Sequence, residues 1–171
     1  MRLKFFSVLA AGLLLAACSS TPEDTSASSG AGSNAPGGSG AVIGAVTPGS
    51  QEDLVQNVGD RVFFGFDKYD LTPEAQATLE RQAAWMQQHP SVTVTVEGHA
   101  DERGTREYNL ALGERRANSV KNYLVALGVD QNRVTTISYG KERPAVAGSN
   151  EDAWAQNRRG VTMVTGGAPA S

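Results

Sequence analysis

Residues 19–50 cannot contribute to a hydrophobic core, and this confines any globular fold to the rest of the chain. The segment holds seven glycines and eight serines, and its large apolar side chains are limited to Val42, Ile43 and Val46. So little apolar surface cannot offset the entropy lost on ordering the chain. A Gly/Ser-rich segment of this length spans about 30 Å on average. We therefore expect a flexible tether, followed by one domain of ordinary size.

Cys18, the single cysteine, ends a short apolar run. The run from Phe5 to Ala17 carries no charge and follows Arg2 and Lys4. This order is typical of a secretory signal peptide, and the run is shorter than the roughly 20 apolar residues that span a bilayer. The Leu-Ala-Ala-Cys sequence resembles a bacterial lipobox, in which the cysteine is acylated and becomes the first mature residue. An incidental thiol would be an unpaired cysteine in a secreted protein, and an anchor helix would need more apolar length.

These features divide the chain into four predicted segments: a lipoprotein signal peptide (1–17), the lipidated Cys18 with a flexible linker (18–57), a folded domain (58–166) and a C-terminal tail (167–171). Several acyl chains would hold the protein stably, whereas one holds only reversibly. Ser19 follows the cysteine, where an aspartate would favour the inner membrane, so we expect the outer membrane with the domain facing the periplasm. The formal charge is −3, whereas nucleic-acid-binding domains usually carry a basic surface. We therefore expect no nucleic-acid partner.

The first half of the predicted domain contains a strand and a helix. Arg61–Phe66 is rich in aromatic and β-branched residues, which predicts a strand ending at Asp67. Thr72 followed by Pro73 is typical of a helix start, with a capping hydroxyl and proline in the first turn. Apolar residues then recur every three or four positions, so the helix has one apolar face and must stop before Pro90.

The central part contains the clearest strand and a long helix. Residues 92–96 alternate valine and threonine, which predicts a strand with valines toward the core. A helix is predicted from Arg106 to Leu127, with Gly128 ending it in the left-handed conformation. Gly113 lies on its apolar face, where a glycine costs about 1 kcal/mol. We therefore expect the helix and the sheet to approach closely there.

Two further strands complete the predicted fold. They are expected at Val134–Gly140 and at Val161–Thr165, with a short helical turn over 150–157 between them. The order favours an α/β (α+β) two-layer sandwich with a four-stranded mixed sheet and two main helices packed on one side. Gly160 replaces the small side chain expected before the last strand, and we expect it to loosen that strand locally. Arg158 and Arg159 are expected to support the sheet or a neighbouring loop.

A polar loop between the second strand and the long helix is the strongest candidate for a functional site. The loop is Glu97-Gly98-His99-Ala100-Asp101-Glu102-Arg103-Gly104-Thr105. Its motif Gly98-His99-Ala100-Asp101, with Gly104, Tyr108-Asn109, Leu112-Gly113, Arg116-Ala117 and Val120, resembles the signature of the OmpA-like peptidoglycan-binding domain. The lipobox, the linker, Phe64–Asp70, Ser138–Pro144 and Asn157–Arg159 strengthen the resemblance across nearly the whole mature domain. A pattern of this length is far more specific than a short motif.

The resemblance implies binding to the diaminopimelate residue of the peptidoglycan stem peptide, with Asp101 and Arg116 at the centre. That residue ends in an ammonium beside a carboxylate. Asp101 suits the ammonium, and Arg116 can hold the carboxylate through two parallel hydrogen bonds, which lysine cannot do. Phe66 and Asp67 match the family segment that adds contacts.

Several alternatives remain open from sequence. Asn109 and Leu112 are expected to line the cleft, but supporting the loop and filling the core are equally compatible with them. Asp101 and Arg116 could also pair with each other in the free protein. His99 and His89 provide no ligand set for zinc, so we expect no metal, no cofactor and no catalytic triad.

The leading interpretation is a non-enzymatic binding module that tethers the outer membrane to the cell wall. The resemblance implies partners in the Tol system, TolB and TolA, and roles in envelope integrity and in outer-membrane constriction during cell division. The alternative is a cell-wall hydrolase that uses Glu97, Asp101 or Glu102 as acid and base. Glycosidases need two carboxyl groups facing each other across a sugar, whereas acids in one short charged loop are usually solvated.

Overall fold

The computed structural model describes residues 46–167. The predicted signal peptide, Cys18, most of the linker and nearly all of the tail lie outside these residues, so the predictions made for them stay predictions. None of the helices between residues 46 and 167 combines the length and the apolar character needed to cross a membrane.

Four strands form one mixed sheet, with helices between them. The strands are β1 (Arg61–Phe63), β2 (Thr93–His99), β3 (Val134–Gly140) and β4 (Arg159–Gly166), and the helices are α1 (Gln51–Asp53), α2 (Pro73–Gln88), α3 (Arg106–Ala126) and α4 (Glu151–Asn157). A π-helical turn, Leu54–Val58, extends α1, and a 3₁₀ turn, Gln131–Arg133, precedes β3. The sheet order is β1-β4-β2-β3, with β2 and β3 parallel and the other pairs antiparallel. The predicted two-layer fold is confirmed.

The core lies between the sheet and the two long helices. Val94 and Val96 of β2 are fully buried toward the helices, while Thr93 and Thr95 are only half-buried. Leu79 and Met86 of α2 and Leu124 of α3 pack into the same cluster. The alternation of valine and threonine therefore predicted the buried face of β2 correctly.

Local rules determine most helix ends. The hydroxyl of Thr72 accepts a hydrogen bond from the Ala75 amide at 3.2 Å, which caps α2 as predicted. Thr105 caps α3 in the same way through the Tyr108 amide at 3.2 Å. Gly128 has φ +95°, the left-handed conformation expected after α3.

The predicted bounds of four segments are corrected. The folded part begins before Val58, because Gln51–Val58 is helical and Leu54 is fully buried. The Val164 backbone amide of β4 also donates a hydrogen bond to Gln51 Oε1 at 2.7 Å. β1 ends at Phe63 rather than at Phe66, because the chain turns with a Lys68-to-Gly65 hydrogen bond of 3.2 Å. β2 and β4 are longer than predicted, since pairing between strands extends both.

The two predictions about glycines had opposite outcomes. A Cβ on Gly113 would lie 2.4 Å from Ser138 Oγ and 2.7 Å from the Gly98 carbonyl oxygen, which confirms the close approach of α3 to the sheet. Gly160, in contrast, does not loosen β4. It pairs with Val62 on one side and with Gly98 on the other, so the strand runs through it without interruption.

Candidate functional site

A cleft opens at one end of the sheet, where β1, β2 and β3 end and β4 begins. Its volume is about 220 Å³. The loop after β1, the loop after β2 and the first turns of α3 form its walls. The lining residues are Phe66, Asp67, Ala100, Asp101, Arg103, Gly104, Tyr108, Asn109, Leu112 and Arg116. The structure thus brings all six predicted site residues to one cleft, although their role in binding stays a prediction.

Arg116 is a fully buried cation at the base of the cleft. Its Nε donates to the Lys68 carbonyl at 2.8 Å, and its two terminal nitrogens donate to the carbonyls of His99 at 2.8 Å and Gly65 at 3.1 Å. A guanidinium has five N–H groups, so two remain for a ligand. Burial lowers the pKa of Arg116 to about 10, against the opposing effect of Asp101, and the group is still protonated at neutral pH.

Asp101 is buried and carries four hydrogen bonds. Its Oδ1 accepts from the Arg103 backbone amide and from Arg103 Nε, both at 3.1 Å. Its Oδ2 accepts from Arg103 Nη2 at 2.6 Å and from Arg158 Nη1 at 3.4 Å. Burial by itself raises the pKa of Asp101, but the Arg103 and Arg158 hydrogen bonds outweigh it and hold the pKa below its usual range. Within the described residues Asp101 therefore pairs with Arg103 and Arg158 rather than with Arg116.

Arg103 is a residue of the cleft that the sequence analysis missed. Its guanidinium carbon lies 4.1 Å from the centre of the Phe66 ring and 4.0 Å from that of Trp154 in α4. Its Nη1 is 3.8 Å from Glu151, also in α4. Its position two residues after Asp101 in a tight loop could have indicated an ion pair, because side chains at this spacing lie close enough to interact. The contact with α4 was not foreseeable, since it joins residues about 50 positions apart.

The outer rim of the cleft presents an accessible carboxylate between aromatic rings. Asp67 has φ +57°, a left-handed conformation that aspartate adopts more readily than most residues. The hydroxyl of Tyr108 donates to Asp67 Oδ1. Phe66 is 60% exposed and Tyr108 is 47% exposed. Asp67 is thus held in place but keeps acceptor positions free, unlike Asp101.

Asn109 and Leu112 are both buried and both line the cleft. The side-chain amide of Asn109 donates to the Arg103 carbonyl at 2.8 Å and to the Thr105 carbonyl at 3.1 Å. Asn109 therefore supports the loop that carries Asp101, which is one of the two roles that the sequence left open for it. Leu112 is buried in the wall of the cleft.

The remaining polar residues near the sheet end have structural partners. Arg158 donates to the Phe64 carbonyl at 3.0 Å and to Glu151 at 2.6 Å, and Arg159 donates to the Arg143 carbonyl at 3.1 Å. Their predicted supporting role is confirmed. His99 is buried against the Tyr139 ring, and burial, aided by Arg159 and Arg143, lowers its pKa to about 4.

The acids considered for hydrolysis do not face one another across the cleft. Glu97 lies on the helix-free side of the sheet, where His99 Nε2 is 3.3 Å from its carboxylate. Glu102 accepts a hydrogen bond from the Trp154 indole at 3.0 Å and is absent from the cleft lining. Between residues 46 and 167 no group of three or more His, Cys, Asp or Glu side chains is placed to hold a metal ion.

Comparison with known proteins identifies related chains. A model of the OmpA family matches residues 63–158. The chain is 56% identical over 129 residues to a peptidoglycan-associated lipoprotein of Rhizobium meliloti, covering 75% of this chain and 73% of that protein. It is 47% identical over 157 residues to the peptidoglycan-associated lipoprotein of Haemophilus influenzae, covering 91% and 94%.

Solved structures agree with these matches. The crystal structure of the peptidoglycan-associated lipoprotein from Burkholderia pseudomallei superposes with a TM-score of 0.61 at 42% identity, covering 62% of this chain and 90% of that one. The C-terminal domain of Helicobacter pylori MotB superposes with a TM-score of 0.58 at 23% identity, covering 62% of this chain and 84% of that one. The second likeness shows the shared fold alone.

Proposed function

This chain belongs to the OmpA family and, within it, to the peptidoglycan-associated lipoproteins, and on that premise we propose that it binds peptidoglycan non-covalently through the cleft. The proposed ligand is the free end of diaminopimelate in the stem peptide. A lipid on Cys18 would hold the other end of the chain in the outer membrane. The protein then links two layers of the envelope without catalysing a reaction.

One observation carries the proposal: a buried cation and two carboxylates line the same small cleft. Arg116 has two N–H groups left after binding three carbonyls. Asp67 and Asp101 line the cleft with it. A ligand that carries a carboxylate beside an ammonium matches this pattern of charges, and each charge-assisted hydrogen bond contributes about 1.5–3 kcal/mol.

The roles assigned to the side chains follow from their chemistry. The guanidinium of Arg116 would hold the ligand carboxylate, and Asp101, with Asp67 at the rim, would receive the ammonium. Phe66 and Leu112 would contact the methylene groups between the charges, while Asn109 would keep the loop in place. Arg116 is already fixed by three carbonyls, so it loses little conformational entropy when the ligand binds.

The direction of the chain supports a bridging role. The first described residues pack at the end of the sheet opposite the cleft, where Asp53 accepts a hydrogen bond from Trp85 near the end of α2 at 2.8 Å. The seven residues of β2 separate the two ends by roughly 20 Å, at about 3.3 Å per residue. If the wall binds in the cleft, the tether and the wall would attach at opposite ends of the domain and need not compete for space.

The proposal extends to the protein partners and the cellular role of the chain. TolB and TolA are the proposed protein partners, and envelope integrity and membrane constriction at division are the proposed cellular roles. Family membership supports them, and a hydrolase function is disfavoured because Glu97 and Glu102 lie outside the cleft.

Co-sedimentation with intact cell-wall sacculi tests the proposal. The purified full chain is mixed with diaminopimelate-type and with lysine-type sacculi, and both bound protein and released fragments are measured. We expect binding to the first type, weak binding to the second, which lacks the extra carboxylate, and no released fragments. Release of wall fragments would establish the hydrolase alternative instead.

A pair of neighbouring arginines on α3 provides the matched control. Arg116→Met should abolish binding, whereas Arg115→Met, at an exposed position one residue earlier, should bind like the parent. Asp67→Asn tests the rim with little risk to folding, because the residue is exposed. Circular dichroism checks that each variant is folded. A folded Arg116→Met variant with parental binding would contradict the proposed cleft.

A further inference from the structure

Asp101 has no acceptor position left for a ligand in the free protein. A carboxylate offers about four lone-pair positions on its two oxygens. Arg103 occupies three of them, through its backbone amide, Nε and Nη2, and Arg158 takes the fourth. The anion that is best placed to receive an ammonium is therefore saturated by groups of the protein itself.

Arg103 is also the group of this cluster that is able to leave. Arg158 is buried and is fixed by the Phe64 carbonyl and by Glu151. The side chain of Arg103 is 31% exposed and borders the cleft. The carboxylate of Glu151 lies 3.8 Å from Arg103 Nη1. The Arg103 guanidinium can therefore form an ion pair with Glu151 instead of Asp101 and still contact the Trp154 ring.

We propose that Arg103 is an internal competitor for the ammonium position of the cleft. In the free protein its guanidinium neutralises Asp101, and a ligand ammonium takes its place as Arg103 shifts toward Glu151. The exchange keeps Asp101 paired in both states, so a buried carboxylate is never left without a cation. The inference rests on the proposed function, because it assigns the ammonium of the wall peptide to this site.

The proposal predicts which ligands Arg103 affects. A ligand with an ammonium must displace the guanidinium, whereas a ligand with only the carboxylate reaches Arg116 without disturbing Asp101. Removal of Arg103 should therefore strengthen binding of every ammonium ligand by a similar factor. It should leave a carboxylate-only ligand unchanged.

Three soluble tripeptides that differ only in their last residue test this. They are L-Ala-γ-D-Glu followed by meso-diaminopimelate, by L-lysine, or by 2-aminopimelate, which keeps the distal carboxylate and lacks the distal ammonium. Calorimetry with the full chain compares the parent with Arg103→Met. We expect the affinities for the diaminopimelate and lysine peptides to rise about tenfold, the equivalent of one charge-assisted hydrogen bond. The affinity for the aminopimelate peptide should not change.

Control variants distinguish competition by Arg103 from a structural role of this residue. Arg106→Met removes an exposed arginine that pairs with Glu142 outside the cleft, and it should leave all three affinities unchanged. Arg103→Lys retains a cation without the planar guanidinium, and we expect a smaller rise in affinity for the diaminopimelate and lysine peptides. This variant tests the proposal if Arg103→Met does not fold. In the parent, the Arg103 Nε–H resonance should shift with the two ammonium peptides and stay in place with the third.

Each other outcome overturns the proposal. A fall in all three affinities would make Arg103 a support of the cleft, and a fall only for peptides with the distal carboxylate would make it a contact of that group. If the parent binds neither the diaminopimelate peptide nor sacculi, the proposed function fails as well. If the parent binds and the pattern differs, only the role of Arg103 is wrong.

Discussion

Two glycines that pair across adjacent strands should respond oppositely to the same substitution. Gly98 in β2 and Gly160 in β4 are register partners. A Cβ on Gly98 would lie 1.7 Å from the Gly113 carbonyl oxygen of α3, a backbone atom. A Cβ on Gly160 would lie 3.2 Å from a methyl group of Val120 and 3.5 Å from Phe64 and Val62, all side chains.

The distances set the expected magnitudes. Gly98→Ala must move α3 away from the sheet by more than 1 Å, because a contact of 1.7 Å is far below any normal separation. Added volume in a packed core typically costs 1–3 kcal/mol and sometimes more. Since both sides of this contact are backbone, we expect a loss of about 3–5 kcal/mol. For Gly160→Ala the methyl group fits after small side-chain shifts, and the lower entropy of the unfolded chain stabilises the fold by up to about 1 kcal/mol.

Urea unfolding of the full chain measures both effects, by linear extrapolation of the unfolding free energy. We expect Gly98→Ala to lower the transition midpoint strongly and Gly160→Ala to leave it unchanged or raise it. Gly98→Ala should also weaken binding to sacculi, because α3 carries Arg116 and β2 leads to Asp101. A loss below about 1 kcal/mol for Gly98→Ala, or an equal loss for both variants, would refute the close-packing argument.

Three further variants probe other parts of the domain. The pKa of His99 is 6.5 in the unfolded chain and about 4 in the folded protein, so between these pH values only the unfolded chain binds the proton. The free energy of unfolding therefore falls as the pH drops, by at most about 3 kcal/mol. His99→Gln should flatten this pH dependence in urea titrations from pH 7 to pH 4. Asp53→Ala removes the acceptor of the Trp85 indole hydrogen bond and should cost about 1–3 kcal/mol, with a red shift of indole fluorescence; an unshifted emission maximum would argue against this contact. Asn157→Ala removes three hydrogen bonds to the backbone at Ala145 and Val146 and should speed amide hydrogen exchange there, while unchanged exchange would mean that the loop is held by other contacts.

Elements whose causes are local could be predicted from the sequence. The Thr72 cap and the Gly128 stop depend on neighbouring residues, and the valine alternation of β2 follows from the period of a strand. Gly113 was also interpretable, because a glycine on an apolar helix face has few explanations other than close packing. The six cleft residues came from the family resemblance, which carries three-dimensional information that periodicity does not.

Partnerships between distant residues could not be predicted in this way. The sequence suggested that Asp101 and Arg116 could pair, but Arg116 instead binds carbonyls of the loop after β1 and of the last residue of β2. The end of β1 was misplaced for a similar reason, since aromatic residues favour a strand while the turn at Gly65–Lys68 ends it. The helical start at Gln51 was missed because its stability comes from contacts with α2 and β4.

The sequence by itself determined the order of the four strands and the two long helices, the position of the polar loop and the charges that loop carries. These depend on residue types at short spacings, which act within a few turns of the chain. The tertiary structure decided which distant charges meet: it placed α4 beside the loop, brought Arg158 and Glu151 to the Asp101–Arg103 pair and put Arg116 among the residues that line the cleft. Burial makes these pairings strong and specific, because a charge removed from water must find its partner within the fold, wherever in the sequence that partner lies.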